Sequence, residues 1–451
     1  MDEQKTSKMK QVHHRSNKQD QAYEFARWIL QILEDEGFMA RLAGGCVRDR
    51  LLGIEPKDYD IATNAHPEDV TRIFKKKAVK VIPTGIDHGT VTLLKNKIPV
   101  EVTTLRRDVE TDGRHAKIIY TDSFEEDAAR RDFTMNALYE DKDDEIFDYF
   151  NGSSHLKEGR LVFVGNPLER IREDYLRILR FFRFWASLDL KPDTGALDAV
   201  RSESHGLKLI SQERINSELF LMLTCEKIEA PVKAMHNLGV FHVIFPEISS
   251  ISEIPGRLLT GLKDLPQDLR PIGRLIAVLL YWIRDDFDLG TLAKRLKLSK
   301  KDQERLLFAK KGLDLLRQSS EIHWDTADAL AVIDEAEEIG GENQGFSEFF
   351  YSLWYNMLSA FREKDTADFA TVLGALKLLD WLRQEGKKHE SLRKTAMPID
   401  GTKLIKRFDL RQGRRVGEIL NYLKRSFRNG LWSTEEEGMK MVETFIRSSD
   451  H

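Results

Sequence analysis

Residues 42–61, LAGGCVRDRLLGIEPKDYDI, contain the pattern that decides the fold of the N-terminal part of the chain. The pattern predicts a short strand that ends at Gly44 and Gly45, a helix that begins at once, and a second strand that carries Asp58 and Asp60. Paired glycines at a strand-to-helix turn let backbone amides approach a ligand closely, and a helix N-terminus favours an anion. We therefore expect this turn to bind a negatively charged group.

The two aspartates add a second kind of chemistry. At positions i and i+2 of one strand, both carboxylates would leave the same face, roughly 6–7 Å apart. Two divalent ions about 3.5–4 Å apart could bind there, as in two-metal phosphoryl transfer, and oxygen ligands suit Mg²⁺. Glu101, in the predicted strand VEVTTL, could supply a third carboxylate. An isolated pair of this kind is more often a solvated surface feature, but the Gly44-Gly45 turn upstream favours the metal site.

Composition limits the class of protein. The chain has 451 residues, with 70 Lys and Arg against 74 Asp and Glu, and a formal net charge of −4. This length predicts two to four domains at roughly 100–200 residues each. The two cysteines, Cys46 and Cys225, exclude a disulfide framework and a cysteine-rich zinc site. No apolar stretch approaches the ~20 residues of a membrane span, and no secretory signal is evident, so we expect a soluble cytoplasmic protein with no membrane partner.

The order of the predicted elements indicates an α+β protein. Short β-rich runs alternate with helices up to about residue 165, which predicts an N-terminal mixed α/β head with a small sheet. Long amphipathic segments then dominate and predict an all-helical neck, body and tail; the predicted helices include 131–139, 168–187, 270–282 and 326–338. The predicted domains are a mobile tail over 1–20, the head over 21–165, the neck over 166–225, the body over 226–385 and the tail over 386–451.

The last of these domains carries a concentration of positive charge. Between residues 401 and 430, nine Lys and Arg oppose Asp409 and Glu418, which leaves a local charge of +7. Such a block is either a solvated helix face or a surface that contacts phosphates, and the sequence leaves both open.

Further motifs follow in a fixed order: EEDAARRDFTMNAL at 125–138, DYFNG at 148–152, REDYLRILRFFRF at 172–184 and SQERINSEL at 211–219. Together with the Gly-Gly turn and the Asp-x-Asp pair, they resemble the motifs of the class II tRNA nucleotidyltransferase (CCA-adding enzyme) and bacterial poly(A) polymerase family, within the polymerase-β nucleotidyltransferase superfamily. The resemblance runs from about residue 38 to 219. It implies a catalytic nucleotidyltransferase head, with tRNA, ATP and CTP as partners and Mg²⁺ as cofactor.

The resemblance also implies roles for individual residues. Asp58 and Asp60 would be catalytic and hold the metal ions, with Glu101 as the candidate third catalytic carboxylate. Asp132 would accept a hydrogen bond from the ribose 2′-hydroxyl. The full set implied in nucleotide binding is Gly44, Gly45, Arg48, Arg131, Asp132, Asp174, Arg177, Arg180 and Arg183.

Hydrogen-bond chemistry independently supports base reading by Asp174 and Arg177. Spaced three apart on the predicted helix, Asp174, Arg177, Arg180 and Arg183 would lie on one slowly drifting side. Adenine and cytosine both present an amino donor beside a ring-nitrogen acceptor, which match an aspartate and an arginine. Guanine and uracil reverse this pattern. One pair of residues can therefore admit A and C and reject G and U without a template.

The segment 105–118, LRRDVETDGRHAKI, is charged and poor in apolar residues, which predicts a flexible loop. In the resembled family a loop at this place helps the active site change from C to A addition, and enzymes that add only C typically lack it. Asn166 departs from the family, because many relatives carry an aspartate before Pro167. The favoured function is CCA addition or repair at the tRNA 3′ end. The alternatives are a poly(A) polymerase, an A-adding enzyme dependent on a CC-adding partner, and an inactive RNA-binding module; the oligomeric state stays open.

Overall fold

The structure is a computed structural model that describes residues 17–111, 116–247, 255–282, 287–317, 326–340, 348–363, 369–388 and 395–449. By the density of internal contacts, the chain divides into two compact units. One contains the residues up to Ile215 and Ala234–Ile244, and the other contains Asn216–Lys233 and the residues from Phe245 onward. The predicted mobile tail falls largely on residues 1–16, outside the described residues. The predicted domain boundaries at 165, 225 and 385 stay predictions.

The first unit is built around a seven-stranded sheet, which confirms the predicted α+β head followed by a mostly helical region. The strands of the unit are β1 (Ala40–Ala43), β2 (Asp60–Thr63), β3 (Lys80–Gly85), β4 (Thr90–Lys95), β5 (Ile98–Thr104), β6 (Arg106–Thr111), β7 (Ala116–Tyr120), β8 (Leu138–Glu140), β9 (Ile146–Asp148), β10 (Arg160–Leu161) and β11 (Lys191–Pro192). The sheet order is β3-β4-β5-β2-β1-β8-β9, in which only β2 and β5 run parallel.

Helices cover the sheet and continue the chain. Up to residue 244 they are α1 (Asn17–Asp35), α2 (Gly45–Leu51), α3 (Pro67–Lys76), α4 (Phe124–Ala129), α5 (Gly152–Lys157), α6 (Pro167–Glu173), α7 (Leu176–Leu188), α8 (Thr194–Glu203), α9 (Gln212–Thr224), α10 (Glu229–Asn237) and α11 (Val240–Ile244). Helix α1 packs on β1, β2 and β5, and α3 packs on β3, β4 and β5. The two helices therefore cover neighbouring parts of the sheet and share only the central strand β5.

Strand β5 shows how the sheet separates a core face from an open face. Val100 and Val102 are each 1% exposed, whereas Glu101 between them is exposed. Side chains alternate across a strand, so the valines point into the core and Glu101 points to the opposite face. The neighbouring strand β2 begins with Asp60, which pairs in register with Glu101. The sheet thus presents two carboxylates side by side on one face.

Two predicted helices are wrong in ways that concern this face. The segment 131–139 forms a short 3₁₀ turn over Thr134–Asn136 and then strand β8, because extended Phe133 pairs with Phe163 instead of continuing a helix. The predicted helix 168–187 is two helices, α6 and α7, interrupted at Asp174, whose φ of −152° is extended. Its carboxylate accepts from the Leu176 amide and so caps the start of α7.

The second unit is helical throughout its described residues. Its further helices are α12 (Gly256–Thr260), α13 (Arg270–Trp282), α14 (Leu289–Arg295), α15 (Lys300–Arg317), α16 (Thr326–Gly340), α17 (Glu348–Glu363), α18 (Phe369–Lys388), α19 (Gly401–Phe408), α20 (Arg414–Arg428) and α21 (Glu435–Ser449). Helix α13 matches its predicted bounds and is buried on all sides, which fits its largely apolar sequence. None of the described helices is long and apolar enough to cross a bilayer.

The motif DYFNG owes its pattern to a close backbone approach. Asp148 accepts hydrogen bonds from the amides of Gly152 and Ser153, at 2.8 and 2.9 Å, and so fixes the start of α5. A Cβ on Gly152 would lie 2.1 Å from the carbonyl oxygen of Thr134. Thr134 belongs to the same turn as Asn136. The DYFNG motif therefore packs against the segment RRDFTMN, residues 130–136, and helps to fix its conformation.

Replacing Gly152 by alanine should destabilise the protein by about 1–3 kcal/mol or more, because the Thr134 backbone is held by Val162 and cannot move aside freely. Denaturant-induced unfolding measures this loss. Gly417→Ala is the matched control: it lies within α20 with nothing within 4 Å of a new Cβ, so stability should stay the same or rise by up to about 1 kcal/mol. Equal stability of the two variants would contradict the packing described here.

Candidate active site

One cleft in the first unit brings together the residues predicted for chemistry, with the exceptions of Asp58 and Arg183. The arginines that line it are Arg48, Arg106, Arg130, Arg131, Arg177 and Arg180. The carboxylates that line it are Asp60, Glu101, Asp132 and Asp174. Six cations against four anions leave a formal charge of +2, which suits a polyanionic ligand such as a nucleoside triphosphate.

The carboxylates on the open face of the sheet form one end of the cleft. Asp60 and Glu101 are register partners on the parallel strands β2 and β5. Although the Asp60 side chain reaches the cleft surface, surrounding protein atoms remove much of its water. This desolvation, with the charges of Glu101 and Asp58, raises the pKa of Asp60 to about 6, against the opposing effect of Arg131. The pair therefore gains from a bound cation.

Asp58 lies outside the strand on which it was predicted. Strand β2 begins at Asp60, and Asp58 is an exposed residue of the preceding loop. Tyr59 between them is 3% exposed and packs on Tyr23 with ring centroids 5.6 Å apart. Because Tyr59 anchors the chain inward, the two aspartates both point away from the core. The predicted strand geometry is therefore wrong for Asp58, and its place beside Asp60 in a metal site stays a prediction.

The donor set fits a hard divalent cation. Carboxylate oxygens are the ligands that such ions prefer, and mutual repulsion between Asp60 and Glu101 would be relieved by a positive charge. Within the described ranges, no three His, Cys, Asp or Glu side chains already converge closely enough to hold a metal ion. Asp60 and Glu101, with Asp58 from the loop, would therefore hold a metal together with oxygens of a ligand.

The Gly44-Gly45 turn depends on glycine for a steric reason. Gly44 has a φ of +73°, and a Cβ there would lie 2.8 Å from Nη1 of Arg131. Helix α2 begins at the next residue, and its Arg48 side chain lies in the cleft. Arg48 donates to Oδ1 of Asn136 at 2.7 Å and pairs with Asp49. The turn thus brings backbone amides and Arg48 to one wall of the cleft.

A buried carboxylate organises the arginines of the second wall. Asp127 is 1% exposed and pairs with Arg130 at 2.6 Å and with Arg131 at 3.1 Å. Tyr139 also donates to it, at 2.7 Å. Burial by itself would raise the pKa of Asp127, but the two guanidinium groups and the hydroxyl lower it to about 2. Asp127 is therefore a fixed negative charge that holds two cleft arginines in place.

Asp132 lies deeper in the cleft than expected of an exposed ribose ligand. It is 8% exposed and accepts from Nε of Arg180 at 2.7 Å and from Nδ2 of Asn136 at 3.0 Å. Burial acts to raise the pKa of Asp132, yet Arg180 and the hydrogen bonds lower it below its ordinary value. Asp132 is thus an ionised acceptor in a firm network.

Asp174 and Arg177 lie together at the junction of α6 and α7. Arg214 pairs with Asp174 at 2.7 Å, and Arg177 donates to Glu173 at 2.7 Å and to the carbonyl of Arg130 at 2.9 Å. Since Asp174 precedes α7, it does not share a helix face with the arginines that follow. The break in the chain, rather than helical spacing, brings its carboxylate to the cleft.

Arg183 lies farther along α7 and does not line the cleft. Its guanidinium carbon lies 4.0 Å from the centroid of Phe184. Asn166 takes a local role as well, because its side chain caps α6 by accepting from Leu168 at 2.9 Å. Cys46 is 3% exposed, and burial raises the pKa of its thiol to about 11, so it packs beneath the turn as an uncharged side chain.

The segment 105–118 was wrongly predicted to be a loop throughout. Its described residues form most of the antiparallel pair β6–β7, and residues 112–115 at its tip lie outside the described residues. Arg106 at the start of β6 lines the cleft, and its carbonyl accepts from Nε of Arg130 at 3.2 Å. At the end of β7, Tyr120 meets the ring of His66 edge to face, with centroids 4.6 Å apart. The hairpin therefore starts at the active site.

Sequence reasoning missed several residues of the cleft and its support: Arg106, Asp127, Arg130, Asn136, Phe184 and Arg214. Most lie inside motifs that were recognised as a whole. Asp127 stands four residues before Arg131, a spacing that could have indicated their ion pair if a helix had been predicted there. Nothing local in the sequence indicates that Arg214 reaches Asp174, since forty residues separate them.

Comparisons with known proteins agree with this fold. Residues 40–162 match the family described as "Poly A polymerase head domain", and residues 187–251 match "Probable RNA and SrmB-binding site of polymerase A". The fold and site thus define a nucleotidyltransferase with a head of the poly(A) polymerase type. Enzymes of this family are generally metal-dependent.

Similarity to individual proteins identifies the family more closely. The chain is 37% identical over 297 residues to the mouse "CCA tRNA nucleotidyltransferase 1, mitochondrial", which covers 64% of this chain and 66% of the relative. It is 36% identical over 322 residues to the human protein of the same name, 68% of this chain and 71% of the relative. The matches thus span about two thirds of these relatives. The chain belongs to the family of CCA tRNA nucleotidyltransferases.

A solved structure shows the same fold over nearly the whole chain. The CCA-adding enzyme of Bacillus stearothermophilus, in a crystal structure with CTP, superposes with a TM-score of 0.70 at 24% sequence identity. The match covers 95% of this chain and 99% of that one. At this identity the likeness concerns the fold alone.

Asp127→Asn tests the buried charge. The pKa of Asp127 is lower in the folded protein than in the unfolded chain, so its ionisation stabilises the fold above about pH 4, and this contribution is lost as the pH falls toward 2. The variant should lose about 3 kcal/mol at pH 7, because Arg130 and Arg131 keep buried charges without their partner. Its stability should also fall less steeply than that of the wild type between pH 5 and pH 2, measured by urea unfolding.

Glu125→Gln provides the control on the same helix, α4. Glu125 is exposed, so this variant should keep both the wild-type stability and the wild-type pH dependence. If Asp127→Asn behaves like this control, Asp127 does not hold the arginines through its charge.

Proposed function

We propose that this chain is a template-independent RNA nucleotidyltransferase that adds or repairs the 3′-terminal CCA of tRNA, with CTP and ATP as substrates. The observation that carries the proposal is that one cleft is lined by the Asp60–Glu101 pair, by Asp174 and by six arginines, Arg177 among them. The names of the similar proteins supply the substrate class. On this basis we propose the following roles for the residues of the cleft.

We propose Mg²⁺ as the metal, held by Asp58 and Asp60 with Glu101 beside them. When bound, such an ion supplies Lewis-acid chemistry: it lowers the pKa of an attacking hydroxyl and neutralises charge on phosphate oxygens. The carboxylates orient the RNA 3′-hydroxyl toward the α-phosphate. Pyrophosphate leaves toward the arginine-lined wall, where positive charge stabilises it.

The other residues bind and select the nucleotide. Gly45 and Arg48 contact the triphosphate at the start of α2, and Arg131 lies beside them because Gly44 leaves room for its guanidinium group. Asp132 accepts from the ribose 2′-hydroxyl. These contacts position the α-phosphate over the carboxylates, which is the main task of a phosphoryl-transfer site.

Base selection follows from hydrogen-bond complementarity at the junction of α6 and α7. The Asp174 carboxylate accepts from the exocyclic amino group of C or A, and Arg177 donates to the neighbouring ring nitrogen. Arg214 and Glu173 orient this pair from behind. With G or U the donors and acceptors are reversed, so the two polar groups that the bound base covers would lack its matching hydrogen bonds, which costs about 1–3 kcal/mol for each.

We propose that the tail, residues 386–451, contributes to tRNA binding through its basic helices α19 and α20. Arg414 there is 95% exposed, as a phosphate contact requires. For the compartment we propose the cytoplasm, since Cys46 and Cys225, the two cysteines of the chain, form no disulfide. The mitochondrial names of similar proteins make that organelle the alternative. Cell fractionation would decide between them.

Product length on a sequencing gel tests the function directly. Purified protein, Mg²⁺ and tRNA that ends at the discriminator base are combined with CTP, with ATP, and with both. Addition of three nucleotides that then stops is the expected result. Addition of a single A only to tRNA that already ends in CC would indicate an A-adding enzyme, and a long A ladder on any RNA would indicate a poly(A) polymerase.

Asp60→Ala should reduce incorporation at least about 1,000-fold while the protein stays folded, because the variant removes a proposed metal ligand from the surface of the cleft. Activity is measured on the same gel and folding by circular dichroism. Asp69→Ala on α3 is the matched control. Asp69 forms an exposed ion pair with Arg72, so its loss should change neither quantity appreciably. Retained activity of Asp60→Ala would refute the metal assignment.

A further inference from the structure

Asn136 occupies a central position between the two walls of the cleft. It ends the 3₁₀ turn Thr134–Asn136 and is 7% exposed, with part of its surface on the cleft. Neither the motif comparison nor the proposed mechanism gives Asn136 a role, but its hydrogen bonds indicate one.

The side-chain amide of Asn136 joins two groups of opposite chemistry. Its Oδ1 accepts from Nη1 of Arg48 at 2.7 Å, and its Nδ2 donates to Oδ1 of Asp132 at 3.0 Å. The orientation of the amide is unambiguous, because an arginine only donates and a carboxylate only accepts. The backbone carbonyl of Asn136 accepts from Nη1 of Arg131 at 3.1 Å.

Asp132 continues this chain to the opposite wall. Its second carboxylate oxygen accepts from Nε of Arg180 on α7, at 2.7 Å. An uninterrupted series of hydrogen bonds therefore runs from Arg48 through Asn136 and Asp132 to Arg180. It connects α2, which begins at the glycine turn, with α7, which begins beside Asp174.

Of the common side chains of this size, only an amide can hold this place. An aspartate would accept from Arg48 but could not donate to Asp132, and a leucine could do neither. Since both neighbours are largely buried, the loss of either bond leaves a polar group without its partner.

We infer that Asn136 is a positioning residue that couples the triphosphate end of the nucleotide site, at Arg48, to the sugar end, at Asp132. The inference rests on the proposed function for the roles of those two residues. Asn136 holds the Asp132 carboxylate so that it faces the 2′-hydroxyl while Arg48 faces the phosphates. The enzyme then distinguishes ribonucleotides from deoxyribonucleotides most strongly when the triphosphate is present.

Equilibrium binding of CTP and dCTP to the full chain, measured by calorimetry without RNA, tests the inference. Wild-type protein should prefer CTP. Asn136→Asp and Asn136→Leu should both reduce that preference about three- to tenfold, because both remove one of the hydrogen bonds that orient Asp132. Asn136→Leu should also weaken CTP binding itself by about the same factor, because Arg48 loses its acceptor.

Asn64→Asp is the matched control. The Asn64 side chain also accepts from a backbone amide, that of Met39 at 2.9 Å, and donates to a carboxylate, that of Asp122 at 3.2 Å, but it does not line the cleft. The same chemical change there should leave the CTP preference intact. Melting temperatures of all variants separate a local effect from general loss of structure.

A second measurement uses wild-type protein alone and so does not depend on the folding of a variant. The preference for a 2′-hydroxyl is compared between CTP and dCTP and between CMP and dCMP; coupling requires a larger preference in the triphosphate pair. Equal preferences in both pairs, or variants that keep the wild-type preference, would overturn the inference. Wild-type protein that shows the coupling but adds no nucleotide to tRNA would instead refute the proposed function and leave the inference standing.

Discussion

The buried ion pair between Asp127 and Arg131 is the interaction on which the cleft depends. Arg131 lies against Gly44, so closely that any side chain there would collide with its guanidinium group. The carboxylate that fixes Arg131 therefore also fixes the turn at which α2 begins. Arg130 shares the same carboxylate and contacts the start of the β6–β7 hairpin. The glycine turn before α2, the segment with Arg130 and Arg131, and the start of β6 thus all depend on one buried negative charge. The two arginines compensate this charge, because each supplies hydrogen bonds as well as positive charge.

The sheet contributes negative charge to the cleft through two carboxylates whose positions are set by the strands. Side-chain alternation places Val100 and Val102 in the core and leaves Glu101 on the open face, beside Asp60 of the neighbouring parallel strand. Two carboxylates brought together by backbone register repel each other, and this repulsion adds to desolvation, the larger cause, in raising the pKa of Asp60. The arrangement is costly without a ligand and favourable with a cation. Such perturbed carboxylates are typical of functional sites, where the stability of the rest of the fold offsets the repulsion between like charges.

The motifs that carry the family resemblance divide into residues that face the cleft and residues that support them. In RRDFTMN, Arg131, Asp132 and Asn136 face the cleft, whereas Thr134 contacts the backbone of Gly152 from DYFNG. One motif therefore shapes another, which explains why DYFNG, to which we assign no catalytic chemistry, requires a glycine at position 152. A sequence pattern records both kinds of residue equally, and only contacts separate them.

The sequence by itself determined the α+β head, the helical remainder, the glycine turn and most residues of the cleft, because periodicity and turn chemistry are local properties. The apolar segment 270–282 became a helix with the predicted bounds for the same reason. The tertiary structure decided where local propensity was overridden: at 131–139 buried contacts replaced a predicted helix, and at Asp174 a carboxylate that caps the next helix and pairs with Arg214 broke one. It also decided the long-range hydrogen bonds of the cleft, from Arg48 to Asn136 and from Arg180 to Asp132. These partners are separated by tens of residues and leave no local signal, since only folding brings them within hydrogen-bond distance.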